Sequence, residues 1–139
     1  GLPGPPALMA GSRAGLVYGV GALRAAARGE RIVWALHRAA LVNGIVPVVP
    51  ASAIAEAFRT EARGDRLDAL LAGSEVDPLV GDEARRVGEL AARADTTDLV
   101  AVEVAVTADR RNCAIVASRQ TALRGAAGLL GHDLVLYAV

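Results

Sequence analysis

Residues 45–58 read IVPVVPASAIAEAF. The opening IVPVV is aliphatic apart from one proline, the pattern of a strand buried on both faces. Pro50-Ala51-Ser52 makes a turn, and the apolar spacing after it is helical. That helix carries one acid, Glu56. A carboxylate just beyond a strand's C-terminal end stands where open α/β sheets place their ligands. The surroundings of Glu56 therefore decide what the chain does.

The same alternation continues outward from this segment. Strands are expected over 16–20, 45–49, 113–117 and 134–139, with a further one over 75–79 that Pro78 confines to a sheet edge or a strand end. Helices are expected over 22–28, 31–42, 52–62, 67–72, 82–94 and 121–130, and a long one capped by Thr97 or Asp98 ends at Arg111. Within 31–42, Ile32, Leu36 and Ala39 recur at helical spacing, and Asn43-Gly44 supply a left-handed C-cap. The helix over 82–94 opens on acids and carries Arg85, Arg86 and Arg93 further along, the sense that the helix dipole favours. Apolar strands alternating with helices predict a parallel sheet covered on both faces. Residues 1–14 have turn and linker composition and are expected to be a flexible N-terminal segment, with Met9 as a plausible native start.

Composition narrows the function classes. The chain has 139 residues, 53% of them hydrophobic, and its aromatic residues are Tyr18, Trp34, Phe58 and Tyr137, so one compact domain with an aliphatic core is expected. A formal net charge of +0 gives no global field for non-specific duplex binding, and any nucleic-acid contact must be local. All 15 basic residues are arginine. That excludes a Schiff-base or P-loop lysine and favours forked recognition of carboxylate or phosphate. Cys113 is the single cysteine; in the run CAIVA it reads as a buried small hydrophobe. His37 reads as a helix-surface or half-buried residue and His132 as a turn residue, neither having partners at metal-ligand spacing. Arg85-Arg86 and Arg110-Arg111 read as solvated helix ends, since no aromatic stacking partners flank them. Trp34 suits either the core or a face packed on another subunit. No apolar run approaches the roughly 18 residues of a membrane span, and the first residues lack the charged start of a signal peptide. A cytoplasmic location and no membrane contact are expected.

GALRAAARGE after the first strand, IVPVVPASAIAEAFR, GDEARRVGELAAR, TTDLVAVEVAVTADRRN followed by CAIVAS, and a terminal strand occur in an order and spacing that resemble the PIN-domain family, especially the VapC toxins of bacterial toxin-antitoxin pairs. The resemblance covers residues 16–139. It implies a three-layer α/β/α PIN-like domain over 15–139 with a central parallel sheet. It also implies cleavage of single-stranded or loop RNA by Mg²⁺ or Mn²⁺ held on clustered carboxylates, which lowers the pKa of a bound water for in-line attack. The partners it implies are an antitoxin-like protein, RNA and a second copy in a homodimer.

The family's acidic positions are met unevenly. Gly19, in LVYGVGAL, stands where the first aspartate is expected, while Glu56 coincides with the family's glutamate. In TTDLVAV, Asp98 is kept but Ala101 occupies the ligand position, and Ser118-Arg119 replaces Ser-Asp or Ser-Asn after the fourth strand. Two functions follow. In the favoured one the domain has impaired or lost cleavage and acts by binding protein or RNA; Gly19, Ala101, Ser118 and Arg119 mark the pocket, and Arg119 pairs with Glu56 or Asp98 across the old metal site. In the alternative an atypical Mg²⁺ or Mn²⁺ site on Glu56 and Asp98 still cuts RNA. Beside both stand plainer readings: Glu56 as a solvated acid next to Arg59, and Asp98 as a helix N-cap. Glu103, about 200° around the helix from Ala101, is expected to point away from the pocket.

Overall fold

A computed structural model describes residues 15–61, 64–130 and 135–139. The elements run β1 (Gly15–Tyr18), α1 (Val20–Ala27), α2 (Arg31–Val42), β2 (Val48–Pro50), α3 (Ala51–Thr60), α4 (Asp65–Ala72), β3 (Glu75–Asp77), α5 (Gly81–Arg93), α6 (Leu99–Arg111), β4 (Cys113–Ala117), α7 (Thr121–Leu129) and β5 (Leu136–Ala138). The strands form one parallel sheet in the order β3-β2-β1-β4-β5. With helices packed over it, the domain is a three-layer α/β/α fold with a central parallel sheet.

The three central strands are buried because both faces are covered, whereas the edge strands β3 and β5 are more exposed. Leu16–Tyr18, Val48–Pro50 and Cys113–Ala117 are all inaccessible, which is why they read as apolar runs without alternation. Val17 lies at the centre, level with Val48 on one side and Ile115 on the other. The sheet grows from β1 in both directions, so a switch point opens between the C-terminal ends of β1 and β4. Helix α6 is buried from Ala101 to Ala108. This burial, Glu103 and Thr107 included, follows from neighbours on every side of the helix.

Several boundaries move for local reasons. The second strand starts at Val48 because the Ile45 amide donates to Ala40 O at 2.9 Å, which ties residue 45 to the end of α2. Gly44 supplies the left-handed turn there with φ 74°. Strand β3 stops before Pro78, at the sheet edge as expected. The inward stripe of α2 is Val33, Leu36, His37 and Ala40, whereas Ile32 is exposed. The expected stripe was thus out of phase, and His37 is a core residue. Its Nδ1 lies 2.8 Å from the Tyr18 hydroxyl, a polar contact that lets an imidazole occupy an apolar stripe. Cys113 is buried as expected. Trp34 is half-buried and donates from Nε1 to Ala26 O at 3.0 Å. The expectations for residues 1–14 and His132, the last residue of the helix expected over 52–62 and the first of the strand expected over 134–139 lie outside the described residues. No helix among the described residues is long and apolar enough to cross a membrane.

Candidate functional site

A cavity of about 380 Å³ lies at the switch point, where Gly19 follows β1 and Ala117 ends β4. Glu56 of α3, and Asp98 and Ala101 of the α6 N-terminus, line the same cavity. The fold therefore gathers Gly19, Glu56, Asp98 and Ala101 from across the chain. Ser118 packs behind the wall: a Cβ on Gly21 would stand 2.6 Å from the Ser118 Cβ and amide nitrogen, so glycine is required there. Arg119 is exposed and does not line the cavity.

Glu56 is held by cations other than the expected one. Arg59, one turn along α3, donates from Nη2 at 2.5 Å and from Nε at 3.1 Å to Oε1. Arg24 of α1 brings Nη2 to 3.4 Å from the same oxygen, while its Nε donates to Thr60 Oγ1 at 3.1 Å. The Arg59 hydrogen bond, helped by the charges of Arg59 and Arg24, holds the Glu56 carboxyl below its ordinary range. The expected Arg119 pair with Glu56 or Asp98 does not form. Arg59 shares a helix with Glu56 and Arg24 projects from the neighbouring one, whereas Arg119 sits in the outward-facing turn before α7.

Asp98 is the N-cap of α6. Its Oδ1 accepts from the Ala101 amide at 3.0 Å, and its own amide donates to Thr96 Oγ1 at 3.1 Å. The plainer reading of Asp98 describes what its carboxylate does here. A divalent-metal centre of the expected kind does not fit this set of donors. One carboxylate is shared by two guanidiniums, the other caps a helix, and Gly19 and Ala101 offer no side-chain oxygen. Among the described residues no three acidic, histidine or cysteine side chains are placed to hold a metal ion.

No family model, curated protein or solved structure matches this chain. The chemistry of the site thus rests on its own geometry. The N-caps of α1 and α7 are Gly19 and Gln120, neither making a side-chain cap, and both residues line the cavity. Helix N-termini carry unsatisfied amides and partial positive charge. With Arg24 beside them, these amides form the anion-facing side of a cavity whose other charged lining residues are Glu56 and Asp98.

Sequence reading passed over Arg24. A signal was present, because Arg24 and the C-cap Arg28 of α1 stand at i,i+4 and meet Glu56 and the C-cap Glu61 of α3, Arg28 lying 3.3 Å from Glu61. Only the packing of the two helices makes that ladder visible. Glu103 does point away from the cavity, as expected, but it is buried at 2% exposure. Ser52 Oγ donates to its Oε2, while Oε1 is buried with no partner among the described residues. Burial, with Asp77 and Glu83 adding repulsion, raises the Glu103 pKa. Arg110 and Arg111 are not merely solvated ends: both clamp the buried Asp77 carboxylate at 2.5 Å.

Proposed function

We propose that this is a PIN-like, VapC-like domain that has lost metal-dependent RNA cleavage and works by binding, its switch-point cavity taking a phosphate of single-stranded RNA. The observation that carries the reading is the double guanidinium hold on Glu56. A site that keeps its one matching acid neutralised by Arg59 and Arg24 is electrostatically opposed to a dication and receptive to a phosphate. The uncapped N-termini of α1 and α7 add amide donors of the kind that bind phosphate. An antitoxin-like protein and a second copy of the chain belong to the same proposal as partners. A reducing, cytoplasmic setting goes with the single buried thiol.

A second reading keeps an active endoribonuclease, with Mg²⁺ or Mn²⁺ on Glu56 and Asp98, because both acids line one cavity. Titration with Mn²⁺ separates the two. The binding reading expects no change in melting temperature at millimolar Mn²⁺, no cleavage of single-stranded RNA, and RNA binding in EDTA that weakens in Arg24→Gln. Metal-dependent stabilisation and cleavage, both abolished by Glu56→Gln, would establish the nuclease. Failure of any RNA to bind in EDTA removes RNA as the ligand.

A further inference from the structure

A second and larger hollow, of about 930 Å³, opens along the outer side of α2. It shares no lining residue with the switch-point cavity. Arg31, Ala35, Arg38 and Val42 recur along the helix at the spacing of one face, and Trp34 and Leu41 flank them. Val42 is 78% exposed and Leu41 41%, so this side carries apolar surface that none of the described residues covers. The opposite wall comes from Arg66 of α4, whose guanidinium lies against Gly29. A Cβ at Gly29 would stand 2.9 Å from Arg66 Cζ, and φ of 75° also favours glycine there, so the α1–α2 turn is shaped to seat this arginine.

The charge in this hollow is of one sign. Arg31, Arg38 and Arg66 line it, and among the described residues no aspartate or glutamate does. None of the three makes an ion pair among the described residues; the same holds for Arg93, Arg119 and Arg124, whereas Arg24, Arg28, Arg59, Arg85, Arg86, Arg110 and Arg111 all do. His37, buried at 4% exposure, also lines the hollow. Its Nδ1 is engaged by Tyr18, and Nε2 has no hydrogen-bond partner among the described residues. Apolar walls with a few polar groups, at a volume within the roughly 300–1,000 Å³ of small-molecule sites, describe an open groove of the size that such ligands occupy.

We propose that this hollow binds a small amphipathic carboxylate. Its acyl or aryl body lies along Trp34, Leu41 and Val42, and its carboxylate is forked by the arginines. A cationic amphiphile meets three like charges, and a wholly apolar ligand leaves guanidiniums to be desolvated without a partner. A second copy docking symmetrically here would bring six arginines and no described acid into one interface, because a two-fold interface places the same patch on both sides. The proposal is independent of how the switch-point cavity is read.

Trp34 is the only tryptophan in the chain, so its fluorescence reports occupancy directly. The full chain is titrated with dodecanoate, dodecyltrimethylammonium and dodecanol, all below micellar concentrations. The expected result is a saturable Trp34 response to dodecanoate with Kd at least about tenfold below those of the other two. In Arg31→Gln/Arg38→Gln/Arg66→Gln that preference disappears while dodecanol is unaffected. Arg38→Glu alone, a single exposed change that keeps the test open should the triple variant fail to fold, moves the preference toward the ammonium probe. Equal binding of all three probes, an unsaturable response, or charge variants that leave dodecanoate affinity unchanged would each overturn the proposal. So would an acidic Leu/Glu amphipathic peptide that displaces dodecanoate with at least about tenfold higher affinity, which would make the hollow a protein-docking face.

Discussion

Gly19 and Ala117 approach so closely that a Cβ built on Gly19 would stand 2.8 Å from the Cβ of Ala117. The backbone at Gly19, with φ −87°, permits a side chain. Space is what forbids one. The position where an acid is expected from the PIN resemblance is therefore closed to a side chain by the end of β4.

Gly19→Ala is expected to destabilise the domain by about 1–3 kcal/mol, the usual cost of overpacking a tight contact. In an Ala117→Gly background the same change costs under about 1 kcal/mol, since the colliding methyl is gone. Urea unfolding of the four members of this cycle measures the coupling. An additive cycle would mean that the contact is relaxed in solution. Any attempt to restore metal ligands by Gly19→Asp, Ala101→Asp and Arg119→Asp must include Ala117→Gly.

Glu56 titrates below its ordinary value of 4.5, with the Arg59 hydrogen bond as the largest cause and the Arg24 charge a smaller one. The sign follows from linkage. A carboxylate depressed in the folded state stabilises the fold above its unfolded pKa, and the contribution is lost as pH falls below 4.5 through the folded value. Carbon-detected NMR of the carboxyl should place its midpoint below 4.5 in the parent protein. Arg59→Ala returns the midpoint toward 4.5 further than Arg24→Ala does. The reverse ranking would make Arg24 the dominant partner.

Glu103 has the opposite sign. Its raised pKa means that the folded state holds a proton that the unfolded chain releases above 4.5, so its contribution to stability is full below 4.5 and is lost as pH rises through the folded value. Glu103→Gln keeps an acceptor for Ser52 and cannot ionise. The stability of the variant relative to the parent rises from pH 5 to pH 8, because it has no carboxylate charge to bury. Parallel urea curves at the two pH values are the measurement, and a pH-independent difference rules the mechanism out.

Asp77 joins the edge strand to the C-terminal end of α6. Arg110 and Arg111 both reach its Oδ2 at 2.5 Å, Arg110 Nε lies 3.2 Å from Glu83, and Arg111 also binds Glu75. Because the carboxylate is buried while the guanidiniums are partly solvated, Asp77→Ala should cost about 2 kcal/mol, below the figure for a fully buried pair. Hydrogen exchange should accelerate most at the β2–β3 amides. Uniform acceleration across the sheet would show a global loss with no local joint.

The sequence placed the elements closely where one periodicity governs a whole segment. The spans 31–42 and 113–117 coincide with α2 and β4, and Pro78 ends the edge strand. It erred where a stripe has two plausible phases: in α2 the inward face includes His37, because Tyr18 supplies the hydrogen bond that makes its burial tolerable. Arg110 and Arg111 looked like solvated ends because their acids, Asp77, Glu75 and Glu83, come from other elements.

From the sequence alone came the alternation of strands and helices, the buried character of the sheet, and the absence of side-chain oxygen at Gly19 and Ala101. Periodicity and residue chemistry are local properties, written along the chain. The tertiary structure decided the order β3-β2-β1-β4-β5 and with it the switch point, the closure of Gly19 by Ala117, and the choice of Arg24 and Arg59 over Arg119 as partners of Glu56. Those outcomes depend on which elements become neighbours. A charge pairs with whichever opposite charge packing brings nearest, and a side chain fits only where the facing backbone leaves it room.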